Sequence, residues 1–140
     1  MNNFYNHQAF IDLNPPQKEA VKNLEGPLLV LSGAGTGKTR VLTARLANLL
    51  YSNKTKPWNI LAVTFTNKAA KEMRIRLESL IGPSANSVWL GTFHSIAARI
   101  LRENAEIVGL SSNYTIITPE DQVRLLKQIM LDDEIDIKKF

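Results

Sequence analysis

Apolar residues in this chain follow two patterns, and each pattern predicts a different kind of element. Short, mainly apolar runs at 28–31, 59–65 and 88–90 predict buried strands, and the continuous run at 28–31 is typical of a parallel sheet covered by helices on both faces. Between these runs, apolar residues recur every three or four positions over 38–51 and 67–81, which predicts amphipathic helices. Strands that alternate with helices across short links predict an α/β fold with a parallel sheet.

Capping and turn residues predict where the helices begin and end. The sequence Asn14-Pro15-Pro16-Gln17 combines an N-cap residue, prolines at the first helical positions and a glutamine at N3, so it predicts a helix from 15 to about 24. Thr66 is placed to cap the helix at 67–81, and Gly82-Pro83 is placed to end it.

Beyond the third predicted strand the pattern becomes mainly helical. One helix is predicted over 93–108, and after a brief extended piece Thr118-Pro119-Glu120 is a strong start for another. Helical spacing continues through 130, so the acidic residues at 132–136 are predicted to lie at a solvated helix end. That spacing argues against the alternative in which 128–131 is a strand leading into a catalytic Asp-Asp-Glu.

Composition limits the class of protein without defining it. The chain has 140 residues, of which 44% are hydrophobic and 21% charged, enough for one domain with a core. It has no cysteine, which excludes a disulfide framework and a cysteine zinc site. The start lacks a signal-peptide layout and no apolar run nears the roughly 20 residues that span a bilayer, which favours a cytoplasmic protein without a membrane partner. The net charge of +4 suits a polyanionic partner.

A glycine-rich segment between the first predicted strand and the next helix carries the strongest chemical signal. Glycines let the main chain turn so that successive N–H groups converge on an anion, and the positive end of the helix dipole adds to that field. Such a loop cradles the phosphates of ATP, while its lysine reaches the β- and γ-phosphates and the next hydroxyl binds Mg²⁺. The predicted ATP-binding residues are Ser32, Gly33, Ala34, Gly35, Thr36, Gly37, Lys38 and Thr39, with Lys38 and Thr39 also predicted as catalytic and Thr39 as the Mg²⁺ ligand.

Three further segments narrow the class. One is Leu13-Asn14-Pro15-Pro16-Gln17, the second runs from Val63 to Met73 (VTFTNKAAKEM), and the third is Gly91-Thr92-Phe93-His94-Ser95. Together with the phosphate loop they resemble, in order, the Q motif and motifs I, Ia and Ib of the UvrD/Rep/PcrA family of superfamily-one DNA helicases. The resemblance covers nearly the whole chain and implies a RecA-like P-loop NTPase fold, with a parallel sheet flanked by helices.

The resemblance also implies roles for single residues. Gln17 would read the adenine edge of ATP, although the same residue fits a capping box, and both can hold together. Arg40 would approach a phosphate or the base, the alternative being a surface cation. Thr64, Thr66 and Asn67 would contact DNA through hydroxyl, amide and main-chain groups. The same is implied for Thr92, Phe93, His94 and Ser95.

Aromatic residues leave two interpretations open. Phe65 ends the second predicted strand, where its ring is suited either to the core or to stacking on a base of the DNA. Trp58 precedes that strand and Trp89 lies in the third, so both are predicted to be core residues rather than stacking platforms.

By the same resemblance, residues 1–108 would be the N-terminal part of the first motor domain and residues 109–140 the start of an inserted helical subdomain. The whole would belong to an ATP-dependent DNA helicase, moving 3′ to 5′ in repair or replication. Its partners would be single-stranded or junction DNA and the remaining motor domain. The acidic Mg²⁺ motif and an arginine finger would lie beyond Phe140, so we expect little ATP turnover from these 140 residues alone.

Two other classes remain as alternatives. A small P-loop kinase for a nucleoside or metabolite would need an arginine-rich lid and an acid in the base pocket, and neither is evident. A DNA-binding module without catalysis would explain the basic charge but gives no reason for Gly35-Thr36-Gly37-Lys38-Thr39.

Overall fold

The computed structural model describes residues 4–33 and 35–135, in which three helices come before two strands that alternate with further helices. Short 3₁₀ turns occur at Phe4–Asn6, Pro57–Asn59, Gly82–Ser87 and Ala105–Val108. The helices and strands are α1 (Gln8–Ile11), α2 (Pro15–Lys22), α3 (Lys38–Tyr51), β1 (Leu61–Thr64), α4 (Asn67–Ile81), β2 (Trp89–Thr92), α5 (Phe93–Glu103) and α6 (Pro119–Asp132).

The chain forms two units, 1–98 and 99–140. Every residue that the sequence predicts to bind nucleotide or DNA belongs to the first unit. The domain boundary predicted at 108 remains a prediction, because the division into contact units does not test where an inserted subdomain begins.

The sheet confirms one parallel crossover. β1 and β2 pair in parallel from Leu61 opposite Trp89 to Thr64 opposite Thr92, with α4 as the connection between them. α4 packs on this pair of strands. Its apolar residues recur at helical spacing, so they share one face of the helix, and that face is buried against the strands. The buried residues of this cluster are Leu46, Ile60, Ala62, Ala70, Met73, Leu77, Ala85, Val88 and Leu90.

The strand predicted at 28–31 is wrong. These residues are irregular, and the side chains of Leu29 and Leu31 are 81% and 84% exposed. A strand needs a neighbour that pairs with its main-chain N–H and C=O groups. Among the described residues β1 and β2 pair only with each other, so the sheet has two strands rather than the predicted three. The structure is a mixed α/β arrangement, and the complete RecA-like sheet remains a prediction.

Local signals placed the helix starts correctly. Asn14 Oδ1 accepts from the N–H of Gln17 at 3.0 Å, and Gln17 Oε1 accepts from the N–H of Asn14 at 3.0 Å, forming the predicted capping box. Thr66 Oγ1 caps α4 by accepting from the N–H of Ala69 at 3.1 Å. Gly82 follows the last residue of α4 with a φ of 67°, a conformation that favours glycine.

Several boundaries differ from the prediction. α2 ends at Lys22 rather than near 24, and β1 begins at Leu61 because the residues before it form a 3₁₀ turn. The predicted strand at 88–90 is observed at 89–92. The helix predicted over 93–108 stops at Glu103, since Asn104 leaves helical geometry (φ −127°, ψ 24°) and bonds back to the carbonyl of Ile100.

A second apolar cluster holds α2 and α3 together below the glycine-rich loop. Asn48 on α3 is 1% exposed and donates from Nδ2 to the carbonyl of Val21 at 2.9 Å, so its buried amide is satisfied. Tyr51 ties α3 to α4 by donating from Oη to the carbonyl of Leu80 at 3.0 Å. The buried residues of this cluster are Phe4, Phe10, Leu13, Ala20, Val21, Val41, Ala44 and Ala47.

In the second unit, α6 begins with the predicted cap and remains helical through Asp132. Thr118 Oγ1 accepts from the N–H of Asp121 at 3.1 Å, and the Asp121 carboxylate accepts from Thr118. Because 128–131 is helical, the alternative strand with a catalytic acidic end is excluded. Residue 136 of the predicted acidic helix end lies outside the described residues.

The prediction that Trp58 is a core residue is wrong, since 61% of Trp58 is exposed, whereas Trp89 is half-buried. Trp58 lies in the 3₁₀ turn before β1 rather than in the strand, so it is not held against α4.

Across the described ranges, 4–33 and 35–135, no helix combines the length and apolar character needed to cross a bilayer.

We predict that Leu77→Ala lowers the free energy of unfolding by about 2–5 kcal/mol, because Leu77 is fully buried in the sheet-packing cluster and its loss leaves a cavity. Leu29→Ala is the matched control, since the same atoms are removed from an exposed side chain and should cost no more than about 0.5 kcal/mol. Urea unfolding followed by circular dichroism measures both. Equal costs for the two variants would contradict the observed division between core and exposed run.

Candidate nucleotide and nucleic-acid site

The loop at 32–39 turns through two left-handed glycines. Gly35 has a φ of 74° and Gly37 a φ of 84°, values that other residues adopt only at a cost. Gly37 is the N-cap of α3, and none of the side chains that the structure describes caps that helix end. The first main-chain N–H groups of this 14-residue helix therefore face the loop without a described side-chain partner, which is the arrangement that binds anions. Ala34, a predicted binding residue, lies outside the described residues.

Lys38 folds back across this loop. Its Nζ donates to the carbonyls of Ser32 at 3.0 Å and Gly33 at 2.7 Å. Thr36 Oγ1 also donates to the carbonyl of Gly33, at 2.8 Å. The ammonium group is therefore held over the same turn from which the helix N–H groups emerge, so positive charge converges on one place.

A hollow of about 160 Å³ lies beside the loop, lined in part by Gln17, Ser32, Thr36 and Lys38. Larger cavities exist, one of about 530 Å³ near the C-terminal ends of α3 and α4, but it lies away from the glycine loop. We take the small hollow as the candidate phosphate site because it alone among these combines the lysine with the glycine turn.

Gln17 connects the start of α2 to the loop. Its Oε1 is used in the capping box, and its Nε2 donates to the carbonyl of Thr36 at 3.0 Å. A Cβ placed on Gly37 would lie 3.4 Å from Gln17 Nε2, an ordinary contact distance, so the two residues are direct neighbours. The capping interpretation is confirmed, whereas adenine recognition remains a prediction. The bridge to Thr36 was not predicted, because nothing local in the sequence relates positions 19 residues apart.

Arg40 lies in the first turn of α3 and forms an ion pair with Asp12, with Nη2 and Oδ2 3.3 Å apart. The sequence predicts Arg40 to be either a ligand contact or a surface cation, and no local pattern marks Asp12 as its partner. Thr39, the predicted Mg²⁺ ligand, is half-buried in the first turn of the same helix. In the part of the chain that the structure describes, no three His, Asp or Glu side chains come together as a metal cluster.

The second group of predicted site residues lies at the carboxyl ends of β1 and β2. Thr64 pairs with Thr92 at the last position of the sheet, and Phe65 and Phe93 are the residues that follow these two strand ends. Both rings are exposed, Phe65 at 95% and Phe93 at 70%. The core interpretation of Phe65 is therefore excluded.

The hydroxyl groups of this edge are engaged in local capping. Thr92 and Ser95 bond reciprocally, since Ser95 Oγ accepts from the N–H of Thr92 at 2.9 Å and Thr92 Oγ1 accepts from the N–H of Ser95 at 3.2 Å. Thr64 Oγ1 donates to the carbonyl of Thr66 at 3.0 Å. Asn67 and His94 have exposed side chains at the starts of α4 and α5. The groups that this edge offers most freely are rings, an amide and an imidazole rather than hydroxyls.

A tight packing contact fixes the turn from β2 into α5. A Cβ on Gly91 would lie 2.5 Å from Ser95 Oγ and 3.3 Å from the Ile96 side chain, so a larger residue there would displace the Ser95 hydroxyl from its bonds to Thr92. The exposed ion pair between Lys54 and Glu25 lies apart from both groups of site residues. Its hydrogen bond, donated by Lys54 Nζ to Glu25 Oε1 at 2.7 Å, lowers the pKa of the Glu25 carboxyl and raises the pKa of the Lys54 ammonium.

The sequence of this chain is similar to a helicase family and to known helicases. The sequence profile described as "UvrD/REP helicase N-terminal domain" matches residues 13–140. The chain is 49% identical over 138 residues to the ATP-dependent DNA helicase PcrA of Bacillus subtilis (strain 168), covering 99% of this chain and 19% of that protein. It is 50% identical over 140 residues to the PcrA helicase of Staphylococcus aureus (strain Mu50), covering 100% of this chain and 18% of that protein. The chain thus spans about a fifth of the length of these relatives.

We predict that Gln17→Glu loosens the glycine loop without weakening α2. A carboxylate still accepts the N–H of Asn14, but it cannot donate to the carbonyl of Thr36. Loss of one hydrogen bond worth about 1 kcal/mol should speed amide hydrogen exchange at Gly35 to Gly37 roughly fivefold, while the melting temperature stays within a few degrees.

The control for that substitution is Gln122→Glu, which makes the same chemical change on exposed α6. It should leave exchange in the loop unchanged. Unaltered exchange in the Gln17→Glu variant would show that the bridge to Thr36 does not restrain the loop.

Proposed function

We propose that this chain is the nucleotide-binding N-terminal part of an ATP-dependent DNA helicase. The premise is that the chain belongs to the UvrD/REP helicase N-terminal domain family. It binds Mg·ATP at the loop of residues 32–39 and DNA along the carboxyl ends of β1 and β2. The observation that carries the proposal is the convergence of Lys38 Nζ, the uncapped N-terminus of α3 and an adjacent hollow on one turn.

The proposal of a nucleotide site rests on the positive charge that surrounds the glycine-rich loop. Lys38 supplies a cation that can exchange its bonds to the carbonyls of Ser32 and Gly33 for bonds to phosphate oxygens, and the α3 N-terminus supplies N–H donors. Thr39 lies in the first turn of α3 and would present its hydroxyl to Mg²⁺. Gln17 and Arg40 flank the end of the loop, next to Gly37, where the nucleoside would extend. When bound, Mg·ATP supplies the free energy that moves a motor along DNA.

The DNA site follows from exposure. Phe65 and Phe93 present rings at neighbouring strand ends, and bases stack on such rings whatever their sequence. Thr64, Thr66 and Asn67 at one strand end, with Thr92, His94 and Ser95 at the other, supply main-chain and polar groups for phosphates and sugars. Single strands suit this edge because their bases are free to stack.

Three finer proposals rest on the family resemblance. The movement is 3′ to 5′, the setting is repair or replication in the cytoplasm, and the site is completed by the remaining motor domain. Hydrolysis also needs an acidic residue at a strand end, which we expect outside these residues. The 140 residues alone should therefore bind weakly and turn over ATP negligibly. A small-molecule kinase, the alternative, would form ADP with an acceptor and without DNA.

We predict that Lys38→Ala weakens Mg·ATP binding at least about tenfold, because charge-assisted bonds to phosphate are lost. Isothermal titration calorimetry at fixed salt measures the affinity. Lys56→Ala, at an exposed lysine in the loop after α3, is the matched control and should bind as the unaltered chain does. Equal affinity in Lys38→Ala and Lys56→Ala would refute the nucleotide site.

We predict that Phe65→Ala and Phe93→Ala each weaken binding of a fluorescent oligo(dT) by about 1–3 kcal/mol, the value of one stacked base. Fluorescence anisotropy at one low salt concentration is the measurement, since affinity for DNA depends on salt. Trp58→Ala removes an exposed ring from the other end of β1, so it should change nothing. A loss with Trp58→Ala as large as with the two phenylalanine variants would contradict the proposed edge.

A further inference from the structure

The ion pair between Asp12 and Arg40 joins a residue beside the phosphate loop to the N-terminal helix α1. Arg40 is close to the end of the loop, since a Cβ on Gly37 would lie 3.9 Å from Arg40 Cβ and 3.4 Å from Gln17 Nε2. Arg40 and Gln17 therefore approach the same glycine. The phosphate hollow is lined by Gln17 and Lys38, whereas Arg40 borders a separate hollow of about 150 Å³ with residues of α1, α3 and α4.

Asp12 is itself held in place. It is the C-cap of α1, and its main-chain N–H donates to the carbonyls of Gln8 and Phe10. Its Oδ1 accepts from Gln8 Nε2, which leaves Oδ2 for Arg40 Nη2 at 3.3 Å. The chain on either side is anchored in the core, with Phe10 6% and Leu13 3% exposed. These contacts hold the main chain of Asp12 and one of its carboxylate oxygens in a defined position.

The ion pair restrains the Arg40 side chain and engages only one end of its guanidinium group. A free arginine side chain samples many rotamers, and ordering it at the moment of binding lowers affinity. Asp12 contacts one terminal nitrogen, so the other N–H donors and the flat face of the guanidinium remain for a ligand. A carboxylate in this place orders the cation before the ligand arrives.

We propose that Asp12 is a positioning residue for nucleotide binding, which holds Arg40 beside the nucleoside part of the ligand. The inference rests on the proposed nucleotide site, and adds to it a residue that makes no ligand contact. Because the two side chains are each 45% exposed, solvent weakens the pair and the effect is modest. A twofold to fivefold change in affinity is expected.

The test is a double-mutant cycle on the whole chain, with Mg·ATP binding measured by calorimetry. Asp12→Asn should lower affinity about twofold to fivefold, Arg40→Ala should lower it at least as much, and the double variant should bind like Arg40→Ala alone. Asp12→Glu, which keeps the charge, should retain most of the affinity. Binding of Mg·tripolyphosphate, which has no nucleoside, should not change with Asp12→Asn.

Glu25→Gln is the matched control, because it neutralises one partner of another exposed ion pair, with Lys54. It should leave Mg·ATP affinity unchanged. Unchanged or increased affinity in Asp12→Asn, or the same loss in the Arg40→Ala background, overturns the inference. If Lys38→Ala abolishes binding while Asp12→Asn is neutral, only the inference fails. If the unaltered chain binds neither ligand, the proposed function itself fails.

Discussion

The reversal of the main chain at Gly35 and Gly37 determines where every charged group of the candidate site lies. Left-handed conformations at these two positions turn the chain into α3 so that the helix begins with its N–H groups facing the loop. The same turn brings Lys38 back over the carbonyls of Ser32 and Gly33. The Gln17 side chain lies beside the same glycine. The anion-binding character of the loop is thus a property of main-chain geometry, which the lysine reinforces.

The packing of α3 against its neighbouring helices supports the geometry of the loop. α3 packs on α2 through an apolar cluster and on α4 through another, and buried or half-buried polar groups such as Asn48 and Tyr51 join the helices at defined carbonyls. Gln17 therefore reaches Thr36 from a helix whose position is fixed. At the other edge, the reciprocal bonds of Thr92 and Ser95 use up hydroxyls that the sequence suggested for DNA, and the exposed rings of Phe65 and Phe93 become the better candidates.

What the sequence predicted well is what depends on neighbours along the chain. The capping box at Asn14, the Thr66 cap and the end of α4 at Gly82 are set within a few residues, and each was confirmed. The strand at 28–31 failed because a strand is defined by pairing with distant residues, and no described strand pairs with it. Trp58 was misplaced because the chain turns before β1 begins. The bridge from Gln17 to Thr36 and the pair of Asp12 with Arg40 could not be read from spacing, since only folding brings those positions together.

The most direct test of the account is chemical-shift mapping of the ¹⁵N-labelled chain during titration with Mg·ATP. The account predicts that the largest shifts occur at the main-chain N–H groups of Gly35, Gly37 and Lys38, together with the side-chain amide of Gln17. The N–H groups around Glu25 and Lys54, where the other ion pair lies, should not shift. Shifts spread evenly over the surface, or confined to residues away from the glycine turn, would contradict it.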